Sequence, residues 1–410
     1  MTIDIKCKVV YVISNGLEDK EFICKIQKHS VYGNMAKMLY IDKFPLFKIS
    51  KDSIRKYKDY LMKCYFRMKF LKWDPEEKNP EAEIIASVGE YGDVTLEAEC
   101  LIHQFKVPAE PYPEEVTQKI KERFDLQEPN FTLRIPSDER AKRMDLSNLI
   151  ICTIDPETAR DLDDALSIED LGDGTYKVGV HIADVSHFVE LGSFLDIEAS
   201  KRSTSFYFPH TVYCMLPEIL SNNLCSLNAN EEKYAFSIFF FMDNKGNLLR
   251  DKEPILTKSI IISCAKLSYG CAQDVIEGKI TNNDNWPHEK FPICNNVHAD
   301  DLIKKIKLLH QVAMKRRGLR RSQNSTFFNF GEKKRFVMSK EKKQPIDWYY
   351  EPIKEANNVV EEYMLMANLI TGEIMVKNFR KYAILRNHPQ MTIDKSNMTT
   401  YALKKVGNIE

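Results

Sequence analysis

Four aspartates, Asp155, Asp161, Asp163 and Asp164, fall within ten residues at offsets 0, 6, 8 and 9, with Arg160 the one basic residue among them. Carboxylates that converge repel one another and cannot all stay ionised unaided. A hard divalent cation is the usual remedy, and Mg²⁺ takes one or two carboxylates and completes its shell with water and substrate phosphate. Two such ions, roughly 3.5–4 Å apart, clamp the attacking and leaving oxygens in phosphodiester chemistry. The competing reading is a solvated acidic loop, and the flanking residues argue against it. Leu162 and the run Ala165-Leu166-Ser167-Ile168 are strand-like, which puts Asp163 and Asp164 at the mouth of a buried strand. Asp173-Gly174 is a hairpin turn signal. The next stretch, 175–182, alternates Tyr176, Val178, Val180 and Ile182 with other residues, as a strand does. Carboxylates fixed to a packed hairpin are pre-organised in a way that a loose loop is not.

The elements around this hairpin carry a resemblance. The runs TIDPETARDLDDALS, YKVGVHIADVSHFV and MLPEILSNNLCSL, in that order, resemble the catalytic RNB domain of the RNase II/RNase R exoribonucleases over roughly residues 145–389. The ARDLDDALS wording is closest to the eukaryotic cytoplasmic Dis3-like branch that works outside the exosome and prefers 3′-uridylated RNA. The resemblance implies an α+β chain: an OB-type, cold-shock-like β-barrel over 1–95, a connector over 96–144, and a partial mixed α/β RNB domain over 145–410. It implies hydrolytic 3′→5′ removal of nucleoside 5′-monophosphates from single-stranded RNA. Asp155, Asp161, Asp163 and Asp164 would bind two Mg²⁺, with Mn²⁺ as a substitute, and Asp163, at the centre, would be the residue whose loss is least tolerated. Tyr207, eight residues before Met215 of the MLP motif, would lie against the 3′-terminal nucleotide. The same resemblance implies a cytoplasmic monomer whose partner is the 3′ end of single-stranded RNA. Family members also carry a Ser-Pro-Ile-Arg-Arg-Tyr-like motif, an S1 domain and a second cold-shock domain. None is recognisable in these 410 residues, so the resemblance implies a fragment or partial gene product. A non-catalytic RNA-binding scaffold is the alternative of a different class.

The chain is long enough for two or three domains. Lys+Arg and Asp+Glu are both 59, so charge is zero overall and its distribution carries the information. The ten cysteines are scattered, without a Cys-x-x-Cys pair or zinc-like His spacing, which fits reduced thiols. No apolar run approaches the ~18–20 residues that span a membrane, and the first residues lack the shape of a signal peptide.

The first 95 residues read as short strands at 8–13, 21–26, 37–41 and 64–73, the pattern of a small barrel. Phe66, Phe70 and Trp73 are either a stacking surface for single-stranded RNA or barrel core. In the connector, prolines 108, 111 and 113 precede an amphipathic helix over 114–124. Ser193 is positioned to cap a helix. Cys225 reads as a small buried hydrophobe. The stretch 274–299 reads as a polar insertion. Residues 301–343 hold fourteen Lys/Arg against Asp301, Glu332 and Glu341, an excess of eleven. With Leu302, Ile306, Leu309 and Ala313 at helical spacing, this is either a solvated basic helix or an electropositive wall for a phosphate backbone. Phe327, Phe328 and Phe330 fall where the resemblance puts a second aromatic against the 3′ nucleotides. A long helix is expected over 357–379.

Overall fold

The computed structural model describes residues 20–41, 44–74, 76–126, 133–322, 333–339 and 345–386; the expected strand at 8–13, Phe327, Phe328 and Phe330 lie outside them. Five strands close a barrel: β1 (Glu21–His29), β2 (Gly33–Met38), β3 (Phe47–Ile49), β4 (Cys64–Lys72) and β5 (Glu81–Glu90), in the order β1-β2-β3-β5-β4. The short helix α1 (Lys51–Lys56) links β3 to β4, and Ser50 caps it through its hydroxyl. Alternation works as the strand period requires: Phe22, Cys24, Ile26, Phe66, Met68 and Phe70 all point into one apolar core. Phe66 and Phe70 are therefore barrel core. Trp73 is exposed beyond the end of β4, its indole N–H donating to the Glu77 carbonyl at 3.0 Å. The strand expected at 37–41 ends at Met38, because the chain turns there and Tyr40 adopts a left-handed backbone.

Helix α2 (Val94–Phe105), N-capped by Asp93, leaves the barrel, and α3 (Glu114–Arg123) covers the expected 114–124 stretch. After α4 (Ser137–Arg140) comes the second sheet: β6 (Met144–Asp145), β7 (Cys152–Asp155), β8 (Asp164–Asp170) and β9 (Thr175–Ala183). Two short helices, α5 (Val185–Phe188) and α6 (Phe194–Arg202, capped by Ser193), lead to the small hairpin β10 (Phe206–Tyr207) and β11 (Val212–Tyr213). Strands β12 (Glu232–Asp243), β13 (Ile255–Ile262) and β14 (Ala265–Ser268) complete a seven-stranded sheet in the order β14-β7-β8-β9-β12-β13-β6. The outer pairs β14–β7 and β13–β6 are parallel and the inner ones antiparallel.

Period-two alternation sorts this sheet into two buried faces. Ile154, Leu166, Ile168, Val178, Val180 and Phe240 face the helices α7 (Tyr269–Ile276), α8 (Ala299–Ser322) and α9 (Glu355–Phe379). Ile151, Ala165, Ala183 and Ala235 face Phe188, Leu220, Leu224 and Leu227 on the other side. The stretch read as a polar insertion departs from that expectation: Ile280, Trp286 and Phe291 are buried in the helix-side core, and the Asn and Asp residues around them supply turns and caps. Cys225 is buried, and burial pushes its thiol up to about 12, as a small hydrophobe requires.

Helix α8 buries Leu302, Ile306, Leu309 and Ala313 as expected. Its basic face is not wholly free, because Arg317 and Arg320 both bond to the buried carboxylate of Glu362 on α9. Between α8 and α9 stands a two-stranded ribbon, β15 (Lys333–Met338) and β16 (Pro345–Glu351). No helix among the described residues is long and apolar enough to cross a membrane.

Candidate active site

Asp155 ends β7 and Asp164 begins β8, so the residues between them form a loop closing the sheet edge where three of the four carboxylates must meet the fourth. That loop is tied down on several sides. Leu162 is fully buried, its N–H donating to Ser226 Oγ (3.0 Å) and its carbonyl accepting from Leu227 N–H (2.9 Å). The Ser226 hydroxyl donates in turn to the Arg160 carbonyl (2.8 Å). The Asp163 carbonyl accepts from Ala183 N–H on β9 (2.9 Å), Lys266 Nζ donates to the Ala159 carbonyl (2.5 Å), and Glu157 pairs with Lys290 (2.8 Å). Backbone bonds to buried partners fix the direction in which the aspartates project.

The four carboxyls share one electrostatic environment. Burial first, then the charge of Asp164, pushes Asp155 up to about 7, with Asp163 and Asp161 adding to the rise and Lys266 on β14 opposing it. Asp164 is pushed up to about 6 by burial and by Asp163. Asp163 is raised by loss of water and by Asp161. Asp155 Oδ2 is buried without a hydrogen-bond partner. These are the marks of a site short of positive charge. Among the described residues, no three or more His, Cys, Asp or Glu side chains are drawn tightly enough to enclose a metal ion by themselves. An orphaned carboxylate oxygen in an open acidic group still suits Mg²⁺, which leaves much of its shell to water and phosphate. The residues present therefore fit that ion as an open site.

Tyr207 reaches the cluster from the β10–β11 hairpin. Its hydroxyl donates to Asp161 Oδ2 at 2.7 Å while 67% of the residue stays exposed. Burial of the phenol, the bond to Asp161 and the charge of Asp161 raise its pKa. An exposed ring tethered at the rim of an acidic site is not a core tyrosine; its open face is available to a flat ligand. The structure thus bonds Tyr207 to Asp161 and sets the four aspartates within electrostatic reach of one another, without closing three carboxylates around one point.

It also adds residues that the sequence did not announce. Lys266 and Tyr269 arrive from β14 and the start of α7. The Tyr269 phenol is pushed up to about 12 by burial and by the charges of Asp155 and Asp164, while a hydrogen bond to Asn357 of α9 works the other way. The available cue was Lys266 itself, a lone cation in the otherwise apolar or hydroxylated run Ser263-Cys264-Ala265-Lys266-Leu267-Ser268. Ser226 is legible in the sequence only as part of the MLPEILSNNLCSL run, not as the clamp of the aspartate loop.

The RNB domain model matches residues 143–408, enclosing the carboxylate loop, Tyr207 and Tyr269. The chain belongs to the RNB family. A model of the Dis3-like cold-shock domain 2 matches residues 41–106, so an OB-type barrel precedes the RNB domain. The DIS3-like exonuclease 2 of Schizosaccharomyces pombe is 33% identical over 406 residues, covering 95% of this chain and 41% of that protein. The protein of the same name from Xenopus tropicalis is 35% identical over 317 residues, covering 77% of this chain and 36% of the relative. The chain therefore spans about two fifths of the length of these relatives. Among solved structures, Mycoplasma genitalium RNase R in complex with double-stranded RNA superposes with a TM-score of 0.73 at 23% identity, over 98% of this chain and 65% of that one, a likeness of fold.

Proposed function

We infer that this RNB protein is a Mg²⁺-dependent exoribonuclease that hydrolyses single-stranded RNA from its 3′ end to nucleoside 5′-monophosphates. The observation that carries the reading is the joint placement of three up-shifted carboxyls, an orphaned Asp155 oxygen and an exposed Tyr207 bonded to Asp161. Residues 1–95 serve as the RNA-holding barrel, 96–144 as the connector and 145–410 as the catalytic part. Relatives named exonucleases support the activity, and a monomer in the cytoplasm, where its cysteines stay unpaired as the nine described ones are, completes the reading.

In this mechanism Asp155, Asp161, Asp163 and Asp164 hold two divalent ions, Mg²⁺ or Mn²⁺. When bound, the metals polarise the scissile phosphodiester and make water a nucleophile near neutral pH. The chain's own residues do the rest. The Ser226-clamped loop keeps the carboxylates aimed without reorganisation. Lys266 offsets the charge of Asp155. The exposed Tyr207 ring stacks on the terminal base, whose identity stacking does not read, and its bond to Asp161 ties the position of the nucleotide to the cluster. Asp163 is the central carboxylate: its charge acts on both Asp155 and Asp164, and it feels Asp161 in turn.

The test is Asp163→Asn in the full protein, given uniformly labelled RNA and Mg²⁺. Mononucleotide release is expected to disappear while RNA binding, read by a gel shift, stays nearly intact; retained turnover refutes the assignment. A second reading, an RNA-binding scaffold without catalysis, draws on two relatives: an Arabidopsis thaliana protein named inactive exonuclease DIS3L2, 38% identical over 265 residues, and yeast Ssd1, a pseudonuclease, whose structure superposes with a TM-score of 0.64. A shifted but uncut band with the unmodified protein would favour it.

A further inference from the structure

The β15–β16 ribbon contributes no residue to any buried cluster, and six of the seven residues of β16 are exposed. A two-stranded ribbon is marginal by itself in water; this one is held by its own cross-strand contacts. Phe336 lies opposite Trp348 and Lys334 opposite Tyr350, and opposed residues share a face. One face is therefore Lys334, Phe336, Trp348 and Tyr350. Lys334 Nζ lies 4.0 Å from the centre of the Trp348 ring, and Trp348 meets Tyr350 edge to face at 5.2 Å. On the other face Arg335 pairs with Glu351 at 2.7 Å, beside an exposed Tyr349.

Core packing does not explain a row of half-exposed rings, and such a row marks a contact surface. Its composition selects the partner. The described ribbon residues carry Lys333, Lys334 and Arg335 against Asp347 and Glu351, and the Lys334 ammonium lies over the Trp348 ring. Rings set among cations suit stacked bases and their phosphates; an apolar protein face would favour aliphatic side chains and little charge. Position points the same way. The ribbon runs directly into α9, whose Asn357 bonds Tyr269, and the Glu351 carboxylate acts on that same phenol, which sits among Asp155 and Asp164.

We propose that the ribbon is a stacking arm for single-stranded RNA, holding nucleotides 5′ of those at the aspartates, with bases on Phe336, Trp348 and Tyr350 and a phosphate at Lys334. The proposal rests on the reading of the protein as RNA-binding and extends it to a second surface. Its consequence is a dependence on RNA length: a strand of about four nucleotides occupies the cleft alone, and one of about sixteen also covers the arm.

The test is fluorescence anisotropy with 5′-labelled oligouridylates of these two lengths, in EDTA so that no cleavage occurs, on the full chain. Trp348→Ala is expected to weaken binding of the long strand by about tenfold and to leave the short strand unchanged, and Trp348→Phe is expected to restore most of the loss. Equal affinity of wild type and Trp348→Ala for the long strand overturns the proposal. So does an equal loss for both lengths, which would make the ribbon part of the cleft or show a folding defect. Hydrolysis is scored separately with Mg²⁺: a protein that cuts no RNA yet shows the length-dependent loss disposes of the nuclease reading and leaves the arm standing.

Discussion

Replacing Ser226 with alanine removes one oxygen that bonds only protein groups and should disable the site. Ser226 is fully buried; its Oγ accepts from Leu162 N–H at 3.0 Å and donates to the Arg160 carbonyl at 2.8 Å. Alanine leaves a buried N–H and a buried carbonyl without that partner. Each such orphan costs about 1–3 kcal/mol, so the expected destabilisation is about 2–6 kcal/mol, the lower end applying if the loop relaxes to bring in water. The loop that relaxes carries Asp161 and Asp163. Misplacing a catalytic group by about 1 Å costs on the order of a hundredfold in rate, so kcat should fall far more than RNA affinity. Urea unfolding supplies the first number, as a lowered midpoint at unchanged slope, and release of labelled mononucleotide the second. A stability loss under about 0.5 kcal/mol with unchanged turnover would refute the clamp, showing that Leu227, Ala183 and Lys266 suffice to hold the loop.

Glu362, buried on α9 between Arg317 and Arg320, is a second sensitive point: Glu362→Ala removes the buried partner of both guanidinium groups, with Glu361 still pairing with each, and should cost about 3 kcal/mol, visible as a lower thermal midpoint, with Glu362→Gln recovering part of it. His181, sealed between Ser167 (2.9 Å) and Ser237 (2.7 Å), is pushed down to about 3 by burial. The unfolded chain takes up this proton below about 6.5 and the folded chain does not, so this histidine's contribution to stability is intact above pH 6.5 and falls by up to about 1.4 kcal/mol per unit as pH drops towards 3. Asp155 and Asp164, being raised, act with the opposite sign in the same range, so the effect is to be read as the difference between wild type and His181→Gln in unfolding at pH 7, 6 and 5. Equal slopes for the two proteins would dismiss it.

What the sequence disclosed and what it withheld divide along a physical line. The β8–β9 hairpin was visible because alternation and the Asp173-Gly174 turn are local. The carboxylates were visible because their chemistry is improbable without a shared ligand. Tyr207 was identifiable through the family wording alone, since a short two-residue strand has no periodicity of its own. Lys266, Tyr269 and Asn357 were hidden because their role exists only after β14 pairs with β7 and α9 packs above. In the barrel, Phe66 and Phe70 could have lain on either face; the register of β4 against β1 put them inside. Around Trp286 and Phe291, the density of Asn and Asp concealed two aromatic anchors. The basic run of α8 looked freer than it is, because its partner carboxylate, Glu362, sits some forty residues later.

The parallel pairing of Asp155 with Ser268 joins segments more than a hundred residues apart. Such long-range closure comes late, after local hairpins have formed. Until roughly residue 270 has left the ribosome, the acidic loop has neither its lysine counterweight nor its tyrosine neighbour. A nascent chain thus carries its acidic loop uncompensated until β14 has paired with β7.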